Sequence, residues 1–74
     1  MNEDILKGQW KQIRGQVKNW WGRLSHDDIK RIEGNNEKLV GLLQERYGYS
    51  KQEAQNQIAE FLELMEAKFE RQLK

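Results

Sequence analysis

The residue types of a hydrolytic triad occur together at Ser25, His26, Asp27 and Asp28. Consecutive residues at a helix start point in directions about 100° apart, so these side chains cannot converge on one substrate atom. The same residues suit a helix N-terminus, where Ser25 caps the helix and the two aspartates favour the positive end of its dipole. The sequence therefore predicts a helix cap here, with His26 exposed, and no catalytic residue.

Metal and cofactor sites also lack their usual residues. The chain has no cysteine and one histidine, which excludes disulfides, thiolate catalysis and the cysteine- and histidine-rich zinc sites. The acidic residues lack the spacing of an EF-hand loop, and the six glycines form no glycine-rich phosphate loop. We expect no enzyme, no bound metal and no cofactor.

Basic residues recur along one side of the first predicted helix, spaced four, three and four residues apart. This basic stripe comprises Lys7, Lys11, Arg14 and Lys18. At helical spacing the stripe lies about 110° from the apolar face, and Trp21 is expected to be partly exposed beside it. The five residues together are the candidate site for a polyanion, either nucleic acid or an anionic lipid surface.

The alternative is that the fold neutralises the basic stripe, because the last predicted helix can lie beside the first. The charged residues of that helix as far as residue 66 are Lys51, Glu53, Glu60, Glu63 and Glu66. A formal net charge of +1 and an isoelectric point of about 8.0 also differ from the strongly basic balance usual in nucleic-acid-binding domains. The sequence leaves both interpretations open and favours neutralisation.

The elements that position these residues are predicted to be helices, because apolar residues recur three and four apart and proline is absent. The apolar line of the first helix comprises Leu6, Trp10, Ile13, Val17, Trp20 and Leu24. The helix should end near Trp21, with Gly22 as a left-handed terminal residue. Trp10 and Trp20 are therefore expected in the core.

Capping residues set the other predicted boundaries. The predicted helix starts are Ser25, then Asn35 or Asn36, and then Ser50 in a capping box with Glu53; the predicted stops are Gly34 and Gly48. The apolar face of the last helix comprises Ala54, Ile58, Phe61, Leu62, Met65, Phe69 and Leu73. Leu64 lies about 120° from that face and is the best candidate for a dimer or partner contact.

A chain of 74 residues with 34% charged side chains can form only one thin core. Glycines seven residues apart in each half of the chain indicate two related helical hairpins. We expect an all-α, single four-helix domain over residues 1–74. Gly15 and Gly41 are predicted on outer helix faces, where each costs roughly 1 kcal/mol of helix stability relative to alanine.

Targeting signals are not apparent. The first residues include two acids rather than a basic segment, and the longest apolar run is Leu39-Val40-Gly41-Leu42-Leu43, too short for the roughly 20 residues of a membrane span. We expect a cytoplasmic protein without a transmembrane segment, and a monomer rather than an obligate oligomer.

Several motifs resemble the CsbD-like family of small bacterial stress proteins. They are GQWKQIRGQVK at 8–18, WGRLSHDD at 21–28, IEG at 32–34, LVG at 39–41 and QERYGYSK at 44–51. The similarity runs over roughly residues 2–60 and identifies the longer type of member, whereas the last helix departs from the family pattern from Phe61 onward.

The resemblance implies a fold in which two helical hairpins pack crosswise, as in SAM domains. It also implies a non-enzymatic role in general stress, as a soluble protectant or a weak interaction module, with no catalytic residues to transfer. Polyanion binding by the basic stripe is the alternative function.

Overall fold

The computed structural model describes the backbone of residues 6–72 and the side chains of residues 6–67. This part of the chain is helical and contains no strand. The helices are α1 (Trp10–Trp20), α2 (His26–Ile32), α3 (Asn36–Tyr47) and α4 (Lys51–Gln72). Residues 6–8 are also helical, and a turn at Gln9 separates them from α1. The first predicted helix is therefore two segments, giving five where four were expected; Gly8, a poor helix former, adjoins the break.

The predicted helix starts are confirmed by their hydrogen bonds. The Ser25 hydroxyl accepts from the Asp28 amide while the Asp28 carboxylate accepts from the Ser25 amide, both at 3.0 Å. Ser50 and Glu53 form the same reciprocal box at the start of α4. The Asn35 side chain accepts from the amide of Lys38 and caps α3. These bonds satisfy amides that have no partner inside the helix.

The helix ends differ in one respect from the prediction. Gly48 is left-handed, with φ of 72°, and Glu33 and Gly34 end α2 with φ of 47° and 78°. At Gly34 a side chain has no room, because an added Cβ would lie 2.9 Å from the Cα of Lys7. The left-handed conformation predicted for Gly22 is wrong. The residue that caps the end of α1 is Trp21, whose φ is −118° and whose amide donates to the Val17 carbonyl.

Helices adjacent in sequence pack against each other, α1 on α2, α2 on α3 and α3 on α4. Their inner faces form one core. Its buried residues are Leu6, Ile13, Val17, Trp21, Leu24, Ile29, Ile32, Leu39, Val40, Leu42, Leu43, Ala54, Ile58, Phe61, Leu62 and Met65. Phe69 and Leu73, predicted for the same face of α4, lie outside the described side chains. In the described part of the chain, no helix is both long and apolar enough to span a membrane.

The burial predicted for the adjacent residues Trp20 and Trp21 is reversed in the structure. Trp21 is 2% exposed, whereas Trp20 is 38% exposed. The prediction assumed that helical geometry continues through Trp21, but α1 ends at Trp20 and the next residue turns inward. The Trp21 ring lies 5.0 Å from Phe61 between ring centroids, and Trp20 covers the same ring edge-on at 5.6 Å. Trp10 is partly buried against the core.

Candidate polyanion-binding groove

An open groove of about 770 Å³ lies between α1 and α2. We call it the basic groove. Its lining residues are Lys11, Gln12, Arg14, Gly15, Gln16, Lys18, Asn19, His26, Ile29 and Lys30. Three lysines, one arginine and the histidine supply the groove's titratable side chains, and no lining residue is acidic.

The α1 side of the groove follows from the helical period. Ile13 and Val17 are fully buried in the core, and this fixes the rotation of α1 about its axis. Lys11, Arg14 and Lys18 then lie on the outer side at three- and four-residue spacing. Gly15 lies among them, and an added Cβ there would meet nothing within 4 Å. A ligand can therefore approach the helix backbone at Gly15.

Lys18 has a second contact that fixes its position. Its Nζ donates a hydrogen bond to the backbone carbonyl of Gly22 at 2.9 Å. This carbonyl lies just beyond the end of α1, where cations interact favourably with the helix dipole. The ammonium group is thus held at the C-terminal end of α1, and two of its three N–H bonds are left for a ligand.

The α2 side contributes His26 and Lys30, which sequence reasoning did not include in the site. They lie four residues apart and therefore share one face of α2. The capping box at Ser25 fixes where α2 begins and so which face these two side chains occupy. Their spacing was visible in the sequence, but only the packing of α2 on α1 shows that this face adjoins the basic stripe.

The structure separates the other two predicted site residues from the groove. Lys7 lines a different depression, beside Gly34 and Glu37. Trp21 is buried in the core, so the predicted exposure of this ring next to the stripe is wrong. Lys11, Arg14 and Lys18 are thus the three of the five predicted residues that lie together.

The predicted neutralisation of the stripe by α4 does not take the form of ion pairs. Among the side chains that the structure describes, the one ion pair joins Arg46 and Asp28. Glu60 and Glu63 of α4 are exposed. The cations of the basic groove therefore face solvent without a carboxylate partner in the described residues.

A CsbD-like family model matches residues 4–56 of this sequence, which include the whole basic groove. The chain belongs to the CsbD-like family. A UPF0337 protein of Bordetella pertussis is 51% identical over 63 residues, covering 85% of this chain and 96% of the relative. A UPF0337 protein of Pseudomonas aeruginosa is 49% identical over 61 residues, 82% of this chain and 94% of the relative. Protein YjbJ of Escherichia coli K12 is 48% identical over 61 residues, 82% and 88% respectively. No solved structure matches the sequence significantly.

An ion pair between the buried carboxylate of Asp28 and the exposed Arg46 joins α2 to α3 in this CsbD-like domain. The Asp28 side chain, 3% exposed, accepts two hydrogen bonds from Arg46 at 3.0 Å in addition to the amide of Ser25. The hydrogen bond from Arg46 is the main cause that lowers the pKa of Asp28 from 3.8 to about 2. The same bond raises the pKa of Arg46. A carboxylate engaged in this way is suited to positioning α2, and not to proton transfer.

Arg23 makes a second link between the α1–α2 connection and α3. Its guanidinium carbon lies 5.3 Å from the centre of the Tyr47 ring, within the range of a cation–π contact. The backbone amide of Arg23 donates to the Tyr47 hydroxyl at 3.2 Å, and the Tyr47 ring stacks on Tyr49 at 5.2 Å. Arg23 thereby contacts α3 and does not line the basic groove.

Proposed function

We propose that this CsbD-like chain is a non-enzymatic binding protein whose basic groove binds polyanions. The observation that supports the proposal is the convergence of Lys11, Arg14, Lys18, His26 and Lys30 on one groove without an acidic lining residue. Phosphate-rich ligands bind to such clusters by releasing condensed counterions, which does not require a high net charge of the whole protein. The net charge of +1 is therefore compatible with a local excess of basic residues in this groove.

The test is a titration with polyanions at two salt concentrations. Single-stranded DNA, duplex DNA and anionic vesicles are each titrated with the protein, and we expect at least one to bind at low salt with affinity that falls steeply as salt rises. The groove variant combines Lys11→Gln, Arg14→Gln and Lys30→Gln, and leaves Lys18 in place because that residue also caps α1.

A control variant removes three positive charges outside the basic groove. Arg31→Gln, Lys38→Gln and Lys51→Gln change three exposed residues outside the basic groove. The groove variant should lower the slope of log affinity against log salt by roughly 0.7 to 0.9 for each lost phosphate contact, whereas the control should keep the wild-type slope. Equal loss in both variants, or no binding by the wild type at low salt, would contradict the proposal.

A role in general bacterial stress is the part of the proposal that rests on the family resemblance, and a cytoplasmic location stays a prediction from the sequence. The absence of convergent catalytic side chains at Ser25–Asp28 supports a non-enzymatic role, because Ser25 and Asp28 are engaged in capping α2. A broad activity screen of the purified protein tests this. Reproducible turnover that is abolished by changing a single carboxylate would overturn it.

We further propose that residues 1–74 form one domain of two crosswise hairpins, α1–α2 and α3–α4, as in SAM domains, and that the domain is a monomer. The sequential packing of the helices and the matching capping boxes at Ser25 and Ser50 support the two hairpins. An experimental structure tests the crossing, and light scattering tests the monomer. The exposed Leu64, 48% accessible as the spacing predicted, is the residue to change if a dimer is found.

A further inference from the structure

We infer that the partner of the basic groove is the phosphate backbone of duplex nucleic acid, bound without regard to base sequence. The inference rests on the proposed function and narrows it to one class of polyanion. Three features of the groove carry it: the spacing of its cations, the position of the tryptophans and the absence of an exposed apolar side chain among the cations.

The cations lie on two helices with spacings that suit a regular phosphate array. On α1, Lys11, Arg14 and Lys18 extend over about 10 Å of helix. On α2, Lys30 supplies the fourth cation, and His26 lies about 6 Å from it along the helix axis. A DNA duplex carries one negative charge per roughly 1.7 Å of its axis, so each cation can meet a phosphate without deformation of the duplex. Gly15 lets the backbone of α1 come close to such a ligand.

The groove lacks the large aromatic side chains on which unpaired bases usually stack. Proteins that bind single strands combine a basic groove with exposed aromatic side chains. No lining residue of the basic groove is a tryptophan, tyrosine or phenylalanine, and Trp21 is buried. Trp20 is partly exposed, but on α1 it lies about 150° from the centre of the row formed by Lys11, Arg14 and Lys18. The groove therefore contacts phosphates and does not read bases.

An anionic membrane is also less well matched than a duplex. Helices that lie in a membrane interface insert exposed apolar side chains beside their cations. The one large apolar residue lining the basic groove is Ile29, which is 6% exposed and packed in the core. A lipid surface would gain only the electrostatic part of the interaction.

The experiment compares short DNA duplexes of two unrelated sequences with a single strand of equal length and with vesicles containing phosphatidylglycerol. We expect both duplexes to bind with dissociation constants within about threefold of each other. The log–log salt slope should be about −2.7 to −3.6, as for three or four phosphate contacts. Lys11→Gln, Arg14→Gln and Lys30→Gln should each reduce the slope magnitude by about 0.9 and weaken both duplexes equally.

A steric variant tests whether binding requires access to the basic groove or only its positive charge. Gly15→Leu adds a side chain among Lys11, Arg14 and Lys18 without changing any charge and should weaken duplex binding by about tenfold, while Gly41→Leu on α3 should leave it unchanged. Circular dichroism of both variants verifies the fold. Tighter binding of the single strand with quenching of tryptophan fluorescence, a strong preference between the duplex sequences, or binding of vesicles alone would overturn the inference while leaving polyanion binding intact. No binding of any polyanion would overturn both.

Discussion

At the scale of single residues, Asp28 combines two structural functions in one carboxylate. It completes the capping box at the start of α2 and pairs with Arg46 of α3. A buried carboxylate is costly unless its oxygens are hydrogen-bonded, and here both oxygens accept. The residue that resembled part of a catalytic triad is therefore a structural link that holds one wall of the basic groove.

This link predicts a pH dependence of stability. The pKa of Asp28 is lower in the folded chain, about 2, than its ordinary value of 3.8, so its ionised form stabilises the fold fully above the ordinary value. That contribution is lost as pH falls from about 4 through 2. Urea unfolding followed by tryptophan fluorescence should show unfolding free energy decreasing over this range, and less so in Asp28→Asn. Identical pH profiles for the two proteins would show that Asp28 does not carry the effect.

Removing the partner of Asp28 should also destabilise the domain. Arg46→Ala leaves the buried carboxylate with only its capping contacts, so the free energy of unfolding should fall clearly more than in a variant that loses an exposed, unpaired arginine. Arg31→Ala is the matched control, because Arg31 is exposed and makes no ion pair within the described residues. Urea unfolding at neutral pH measures both. A similar cost for the two variants would mean that the ion pair is not formed in solution.

At the scale of helices, Gly15 and Gly41 are the residues that weaken α1 and α3. An added Cβ meets nothing within 4 Å at either position, as predicted for outer helix faces. Gly15→Ala and Gly41→Ala should therefore each raise the unfolding free energy by up to about 1 kcal/mol, because alanine favours helix more than glycine does. The increase is measured by urea unfolding.

The glycines at the ends of α2 and α3 are controls for which substitution by alanine is expected to destabilise the fold. Gly34→Ala should be strongly destabilising, since φ is 78° and the new Cβ would approach the Lys7 backbone at 2.9 Å. Gly48→Ala meets open space but keeps a φ of 72°, so a cost of about 1–2 kcal/mol is expected from backbone strain alone. If Gly15→Ala proved as costly as Gly34→Ala, the outward orientation of Gly15 would be wrong.

At the scale of the whole molecule, the aromatic cluster at the end of α1 connects it to α4. Trp21 and Phe61 are both nearly or fully buried, and Trp20 covers them from outside. A single core of this size supplies only about 3–5 kcal/mol of net stability. Truncation of one buried aromatic side chain costs a comparable amount. The whole fold therefore depends on this cluster.

Trp21→Ala should consequently abolish cooperative unfolding, whereas Trp20→Ala should cost about 1 kcal/mol or less. Trp21→Phe should be tolerated at a cost of less than about 1.5 kcal/mol, since it keeps a buried ring and removes an indole N–H that has no hydrogen-bond partner in the described residues. Far-UV circular dichroism and urea unfolding distinguish the three variants. Equal losses of unfolding free energy in the two alanine variants would contradict the different burial of Trp20 and Trp21.

What could be predicted from the sequence was local. Helical class, the caps at Ser25, Asn35 and Ser50, and the outward position of Gly15 all depend on periodicity and on hydrogen bonds within a few residues. Such features are decided by neighbouring residues, so the sequence contains the necessary information.

The site was decided by tertiary structure. Helical spacing placed Lys11, Arg14 and Lys18 on one face, but His26 and Lys30 join them only because α2 packs on α1. Trp21 is buried because α1 ends one residue earlier and the ring turns onto Phe61, a contact across forty residues that no local period contains. Burial and charge convergence depend on which helices meet, and this is set by the packing of the whole core.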